Sequence, residues 1–411
     1  MNPRIGLKTK VALTTVLLVA SITVAVSQLP ESVSQNRAVY AGRDLGEKIS
    51  ACIAGLPSTG GICDARGESA NLVLSADVVI NKPYTTVYLP RGQIEMGNHS
   101  IKVTAATHGV SLLAQSMHGP FTTKGQARLR YSGKGCAIQV GDPSGDTIGF
   151  RADNLFIDLN SADSTASGLC LTRTQNIDIQ RPTVFGLRSP DNKQVLIKLD
   201  GSGNYSGGLI EEPFLNSGNV QIWFAGPSGT PQGANAVTVL HAHSVGNGGS
   251  HIAVRIDNGG GNTFVGGDYE NFGTAFYLGG NAAFNSFYSV RGEGNSKDFV
   301  MDSGSQNNMV ETPGPLKYLD TGVMNSILLG RYTSTGNMTF RTTDTSACMD
   351  QTLKLIGAAL GDTIALGTPP PPSSGFFSAF VSAPNVVTVR YCSLQASSAV
   401  NGTFRIELSK H

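Results

Sequence analysis

The chain has 411 residues, with 30 Lys and Arg against 29 Asp and Glu, so its formal net charge is +1. Glycine is frequent, at 50 residues, while 14% of residues are charged and 7% aromatic. This composition suits many tight turns joining short strands, and the lack of a basic cluster excludes a nucleic-acid partner.

At the N-terminus Arg4, Lys8 and Lys10 precede an apolar run from Val11 to Val26, and Ala25-Val-Ser27 offers small residues for cleavage before Gln28. The run is short for a membrane span. Residues 1–27 therefore read as a signal peptide, with an uncleaved anchor as the alternative, and residues 28–40 as a polar linker. The expected location is secreted, periplasmic or cell-surface, without stable membrane insertion after signal removal.

The six cysteines, Cys52, Cys63, Cys136, Cys170, Cys348 and Cys392, are an even number, which favours disulfides in an exported chain. Cys52 and Cys63 flank a turn, Leu56 to Gly61, and Cys348 and Cys392 share the C-terminal part. Cys136 and Cys170 read either as a third pair or as two buried thiols. No CxxC spacing occurs, which argues against structural zinc.

Leu45, Ile49, Ile53 and Leu56 fall on one face of a helix that Asp44 would cap. Short strands broken by Gly and Pro follow: Gly60 to Arg66, Asn71 to Leu74 and Thr86 to Gly92. The order of the Asp44-Leu-Gly helix, Thr59-Gly-Gly-Ile-Cys-Asp-Ala-Arg-Gly67, Val87-Tyr-Leu-Pro-Arg-Gly-Gln93 and Gly109-Val-Ser-Leu-Leu113 resembles the entrance of pectate-lyase-superfamily right-handed β-helix proteins, a group that includes tailspike-like adhesins. Leu129 to Gly141 is similar to that family too, and the resemblance covers roughly residues 41–311. It implies a capping helix over the end of a solenoid and an extended sugar chain bound along its side. It leaves open whether the protein is a lyase, a hydrolase or a binding protein.

Repeats support this reading independently. Val254, Phe276 and Phe299 open similar blocks at steps of 22 and 23, and Asn262, Asn285 and Asn308 recur at steps of 23. Such a period is about one coil of a parallel β-solenoid. One strand series runs from Ala137-Ile-Gln-Val140 through Leu169, Leu196, Ile222, Ile252 and Phe276 to Phe299. A second runs from Leu155-Phe-Ile157 through Ile177, Leu209, Val237, Phe264 and Phe287 to Met309. The irregular stretch Gly226 to Gly233 reads as a loop insertion. Asn154 and Asn176 read as turn residues and as candidates for an asparagine ladder.

After Thr312-Pro-Gly-Pro315 the pattern becomes that of a small sandwich, with strands at Met338–Phe340, Thr352–Ile356, Asp362–Leu366, Phe376–Val381, Val386–Tyr391 and Gly402–Leu408, and a stiff loop at Pro369–Pro372. The expected fold is all-β: a right-handed parallel β-helix over 41–315 with an N-terminal capping helix, then an antiparallel β-sandwich over 335–411 that caps the solenoid or forms homo-oligomers.

Offset arithmetic within the repeats stacks Glu270 with Glu293, and Asp268 with Arg291, with His243 next in the latter column. Stacked carboxylates yield an acid and a base, the equipment of a glycosidase; the alternative is a set of solvated turn residues paired with Arg291. These four are the catalytic candidates, and His243, His241, Tyr269 and Tyr288 the candidates for substrate contact. His241-Ala-His243 would put two imidazoles on one strand face, with His251 a distant third ligand, so no metal site is assigned. Glu211 and Glu212 would face opposite ways. The family resemblance would bring calcium if the protein is lyase-like. Asp153, Asp158, Asp178 and Arg181-Pro182 loosely echo the lyase arrangement, but the full arginine-proline-arginine motif and the polygalacturonase signature are absent. The expected activity is binding and cleavage of a polysaccharide in a lateral groove, by lyase or hydrolase chemistry. The alternative is a non-catalytic adhesin or structural protein.

Overall fold

The computed structural model describes residues 41–115, 127–189, 191–201, 205–226, 233–312, 316–329, 332–342, 347–355, 358–369, 375–395 and 398–409. The signal and linker readings, the loop at 227–232, the 313–315 junction and most of the proline loop lie outside these residues. The single helix among these residues, Leu45–Gly55, is capped by Asp44, whose carboxylate accepts from the Glu47 N–H at 2.9 Å. Its buried stripe includes Leu45, Ile49 and Ile53, and it precedes the first coils as expected.

The body is the expected parallel β-helix, but each coil contributes three strands. Face one runs from Gly61–Asp64 through Arg151–Asp153, Ile177–Gln180, Ala234–Leu240 and Thr263–Val265 to Ser326–Leu329. Face two takes Ala127–Tyr131, Phe156–Asp158, Thr183–Phe185, Phe214–Asn216 and Arg291–Glu293. Face three takes Cys136–Val140, Ser167–Thr172, Val195–Asp200, Val220–Ala225 and Lys297–Met301. Two long strands, His243–Gly260 and Asp268–Ala283, bend from face two into face three. The first expected series is face three throughout. The second is face one except for Leu155-Phe-Ile157, which belongs to face two, because its partners are Arg128 to Arg130 and Thr183 to Phe185. Phe264 stacks on Phe287 and then on Val310, so Met309 lies in the same strand but one residue out of that column. The ladders also continue past residue 315, through Tyr318–Asp320 and Ser326–Leu329.

The lumen is filled by inward side chains in columns, among them Phe264 on Phe287 (centroids 4.9 Å, planes 9° apart) and Phe276 on Phe299 (4.7 Å, 14°). Flat stacking follows from the coil spacing, which puts identical positions about 4.8 Å apart. The asparagine ladder is real but sits elsewhere than expected. Buried Asn262 donates from Nδ2 to Asn285 Oδ1 at 2.9 Å, Asn285 to Asn308 at 2.9 Å and Asn308 to Asn325 at 3.0 Å. Asn154 and Asn176 instead hold left-handed turns, with φ of 56° and 52°.

Asn154 opens a column of such corners between faces one and two, followed by Arg181, Glu212, His241, Gly266 and Ser289, with φ between 47° and 62°. This backbone costs side-chain-bearing residues energy, yet each keeps its N–H in the ladder: Arg181 donates to the Glu211 carbonyl and His241 to that of Val265. The corner turns the chain while leaving no backbone donor orphaned.

The C-terminal residues form two three-stranded antiparallel sheets. One comprises Tyr332–Thr342, Ser398–Ser409 and Thr363–Gly367, the other Cys348–Lys354, Val386–Ser393 and Gly375–Ala383. Phe340, Val389, Tyr391, Phe404 and Ile406 pack in their own core. Three disulfides are present: Cys52–Cys63, Cys136–Cys170 and Cys348–Cys392.

Candidate functional site

Alternation along a strand sends every second residue outward, so on face two each short strand offers two outward side chains. The first outward column reads Phe156, Thr183, Phe214, His243, Asp268 and Arg291. The second reads Asp158, Phe185, Asn216, Val245, Glu270 and Glu293. The register expected for His243, Asp268, Arg291, Glu270 and Glu293 is the one observed.

The first half of this surface is aromatic. Phe156 meets Phe185 edge-on at 5.0 Å, Phe185 meets Phe214 at 5.8 Å, and Phe214 stacks on the His243 imidazole at 5.0 Å with planes 11° apart. Phe156 is buried and roofed by Arg128, which is bonded to Asp158. Phe185, Phe214 and His243 are half-buried and form the open part. Sequence reasoning missed both phenylalanines. Their signal is the parallel between Arg181-Pro-Thr-Val-Phe185 and Glu212-Pro-Phe-Leu-Asn216.

The second half is charged. Exposed Arg291 donates from Nη1 to Asp268 Oδ1 at 3.0 Å and pairs also with Glu293. The Asp268 hydrogen bond, with the charges of Glu293 and Asp268, holds its guanidinium above the ordinary arginine range. Glu270 forms no hydrogen bond or ion pair among the described residues. One ligand atom each from His243, Asp268 and Glu270 lies within 4.8 Å of the other two. The cluster therefore presents one unpartnered carboxylate, one carboxylate tied to arginine, and an imidazole oriented by a phenylalanine.

Several expectations are corrected. Tyr269 does not face substrate: the alternation that sends Asp268 and Glu270 outward sends it into the core, fully buried, where burial pushes its phenol pKa up and its hydroxyl finds no partner among the described residues. Tyr288 lies on face one, opposite Val265 and Glu311. His241 sits at the left-handed corner, so it does not share a strand face with His243; its corner neighbour on the preceding coil is Glu212. His251 is buried at the start of the face-three run, away from that pair. The lyase-like acids are dispersed. Asp153 pairs with Arg181 at 2.7 Å and Asp178 with Arg151 at 3.5 Å on face one, whereas Asp158 is on face two. With each acid committed to an arginine, they form no calcium cage.

Two other surfaces fit a ligand less well. On face three the lone Trp223 lies between Lys198 and Arg255, each 5.4 Å from its ring, and donates to Asp257 at 2.8 Å. Both ring faces are thus taken by cations. An open cleft of about 640 Å³ lined by Asn98, Ser132, Lys134, Ser161 and Asp163 is polar, and its Lys134 already faces Asp163 at 3.8 Å.

No family model and no curated protein matches the chain. Among solved structures it is similar to ORF18 of Geobacillus virus E2, at 10% identity over 86% of this chain and 72% of that one, with a TM-score of 0.44. It is similar to a tailspike protein of E. coli bacteriophage HK620, at 10% identity over 90% of each chain and a TM-score of 0.36. An endo-xylogalacturonan hydrolase from Aspergillus tubingensis matches at 12% identity over 69% of this chain and 92% of that one, with a TM-score of 0.30.

Proposed function

We propose that this chain binds an extended polysaccharide along face two and hydrolyses it beside Glu270. The observation that carries the reading is one outward ladder in which the aromatic steps Phe185, Phe214 and His243 run in register into the Asp268–Glu270–Arg291–Glu293 cluster. The half-buried rings leave apolar edges open to the C–H face of a pyranose, and Thr183 and Asn216 between them supply hydroxyl and amide groups for its polar edge. Glycoside hydrolysis needs one carboxyl to pass a proton to the leaving oxygen and a second to act on the anomeric carbon or its water. Glu270, with no hydrogen bond or ion pair among the described residues, is the group left for proton transfer. Asp268, bonded to Arg291, supplies the second group.

Reducing-end release over a panel of polysaccharides tests this, with Glu270→Gln as the control. Hydrolysis gives new reducing ends without the ultraviolet absorbance of unsaturated lyase products. Neither binding nor release from any member of the panel would overturn the reading. A second reading, an adhesin that holds the chain intact, is favoured by Arg291 neutralising both Asp268 and Glu293; binding without release would select it.

The same proposal places the protein outside the cytosol. Its three disulfides suit an oxidising compartment, and residues 1–27 read as a signal peptide followed by a linker to residue 40. Among the described residues no helix is long and apolar enough to cross a membrane. Solenoid and C-terminal sheets are taken as separate domains, the latter serving as end cap or oligomerisation module, which light scattering with and without residues 335–411 tests.

A further inference from the structure

We propose that His243, Asp268 and Glu270 form a binding site for a first-row divalent metal of the zinc or cobalt type, and that its occupancy silences the hydrolytic centre. The three donors come from two adjacent coils. His243 sits directly beside Asp268 in the parallel register, and Glu270 follows two residues later on the same outward side. One donor atom from each lies within 4.8 Å of the others. Metal–ligand bonds of about 2.0–2.2 Å put donors around one ion roughly 3–4 Å apart, so half-exposed side chains close that gap by rotation alone. The imidazole is already oriented, because its ring lies flat on Phe214, as outer-sphere partners orient metal-bound histidines.

Charge points the same way. Asp268, Glu270 and Glu293 carry three negative charges against one positive charge on Arg291, so with a neutral imidazole the cluster is left at minus two. A divalent cation would balance it, taking Asp268 from Arg291 while Arg291 keeps Glu293. The donor set selects the class of ion. Calcium and magnesium prefer all-oxygen cages, whereas imidazole with carboxylates suits zinc, cobalt and their neighbours. Three protein ligands would leave a position open to water or a sugar oxygen.

Metal on Glu270 removes it from proton transfer, while the Phe185–Phe214 platform remains open. Occupied protein should therefore hold polysaccharide without cutting it. This consequence rests on the hydrolase reading; metal binding itself does not, and is measured without saccharide.

The test is titration of chelator-treated, full-length protein with Co2+, followed by visible absorption, and with Zn2+, followed by calorimetry. One equivalent should bind. His243→Ala and Glu270→Gln should each weaken it at least about tenfold, Arg291→Ala should tighten it by removing the competing cation, and His241→Ala should leave it unchanged. Absence of binding at millimolar metal, affinity that survives His243→Ala, or equal affinity for Ca2+ would overturn the site. Zinc should also lower reducing-end release in step with occupancy. If metal binds but metal-free protein cuts nothing, the hydrolase reading falls and the site stands.

Discussion

His243 lies flat against Phe214, ring centroids 5.0 Å apart and planes within 11° of parallel. This contact joins the aromatic half of face two to its charged half. Phe214→Ala removes both the proposed sugar platform and the support of the imidazole. An aromatic contact contributes about 0.5–1.5 kcal/mol, so polysaccharide affinity should fall by roughly two- to tenfold, with a small loss of thermal stability. Unchanged affinity would show that the chain runs elsewhere.

Glu270→Gln keeps shape and removes the proposed proton carrier. Turnover should drop by about 10²–10⁴ while affinity for the polysaccharide is retained. Folding should be unaffected, since the carboxylate has no ion pair to lose among the described residues. A rate equal to wild type would move the chemistry to Glu293 or off face two altogether.

Asn285→Ala cuts the buried amide ladder in the middle. It strands the buried Asn262 N–H, which donates to Asn285 Oδ1, and takes one bond each from Asn262 Nδ2, Asn308 Oδ1 and the Gly259 carbonyl. Buried groups left unpaired cost about 1–3 kcal/mol each, so the denaturant midpoint should shift far more than for Asn325→Ala at the ladder's end. Equal shifts in the two variants would argue against a coupled ladder.

His251 is expected to give the fold a pH dependence. Its ring is buried in a cleft it shares with Arg188, and burial depresses its pKa below the ordinary 6.5, an effect the Ser189 backbone only partly offsets. Below about pH 6.5 the unfolded chain takes up a proton that the folded chain refuses, so stability is present above that pH and is lost as pH falls through the folded pKa. The thermal midpoint should decline between about pH 7 and pH 5, with a shallower slope in His251→Gln. Parallel slopes would assign the dependence to other groups.

Peptide mapping without reductant should recover the three disulfides and no mixed pair. Removing Cys136–Cys170, which closes a 34-residue span, by double serine substitution should lower stability by about 3–4 kcal/mol. A free thiol at either position in exported protein would contradict the pairing.

The charged half of the site was legible because its coils are regular. No insertion interrupts the 23-residue steps around Asp268 and Arg291, so counting alone aligned them. Face two as a sheet was not legible. Its strands at Thr183–Phe185 and Phe214–Asn216 each bury a single side chain, Val184 or Leu215, which is no apolar run at all. Phe185 and Phe214 therefore carry no strand signal of their own. Tyr269 was readable from alternation, since neighbours of two outward carboxylates must point inward. His241 was not, because a non-glycine residue in the left-handed region leaves little trace in sequence.

The amide chain from Asn262 to Asn325 has a mechanical consequence. Its hydrogen bonds run along the solenoid axis, and each links one coil only to the next. When the chain is peeled off from its C-terminal side, these links open one at a time, the coil bearing Asn308 before the coil bearing Asn285. In a body whose repeats touch only their neighbours, rupture then proceeds stepwise from that end. Asn262 and Asn285, like Asn285 and Asn308, are 23 residues apart, so each ruptured coil lengthens the tether by roughly 80 Å of extended chain. Single-molecule stretching would register a staircase of near-equal steps.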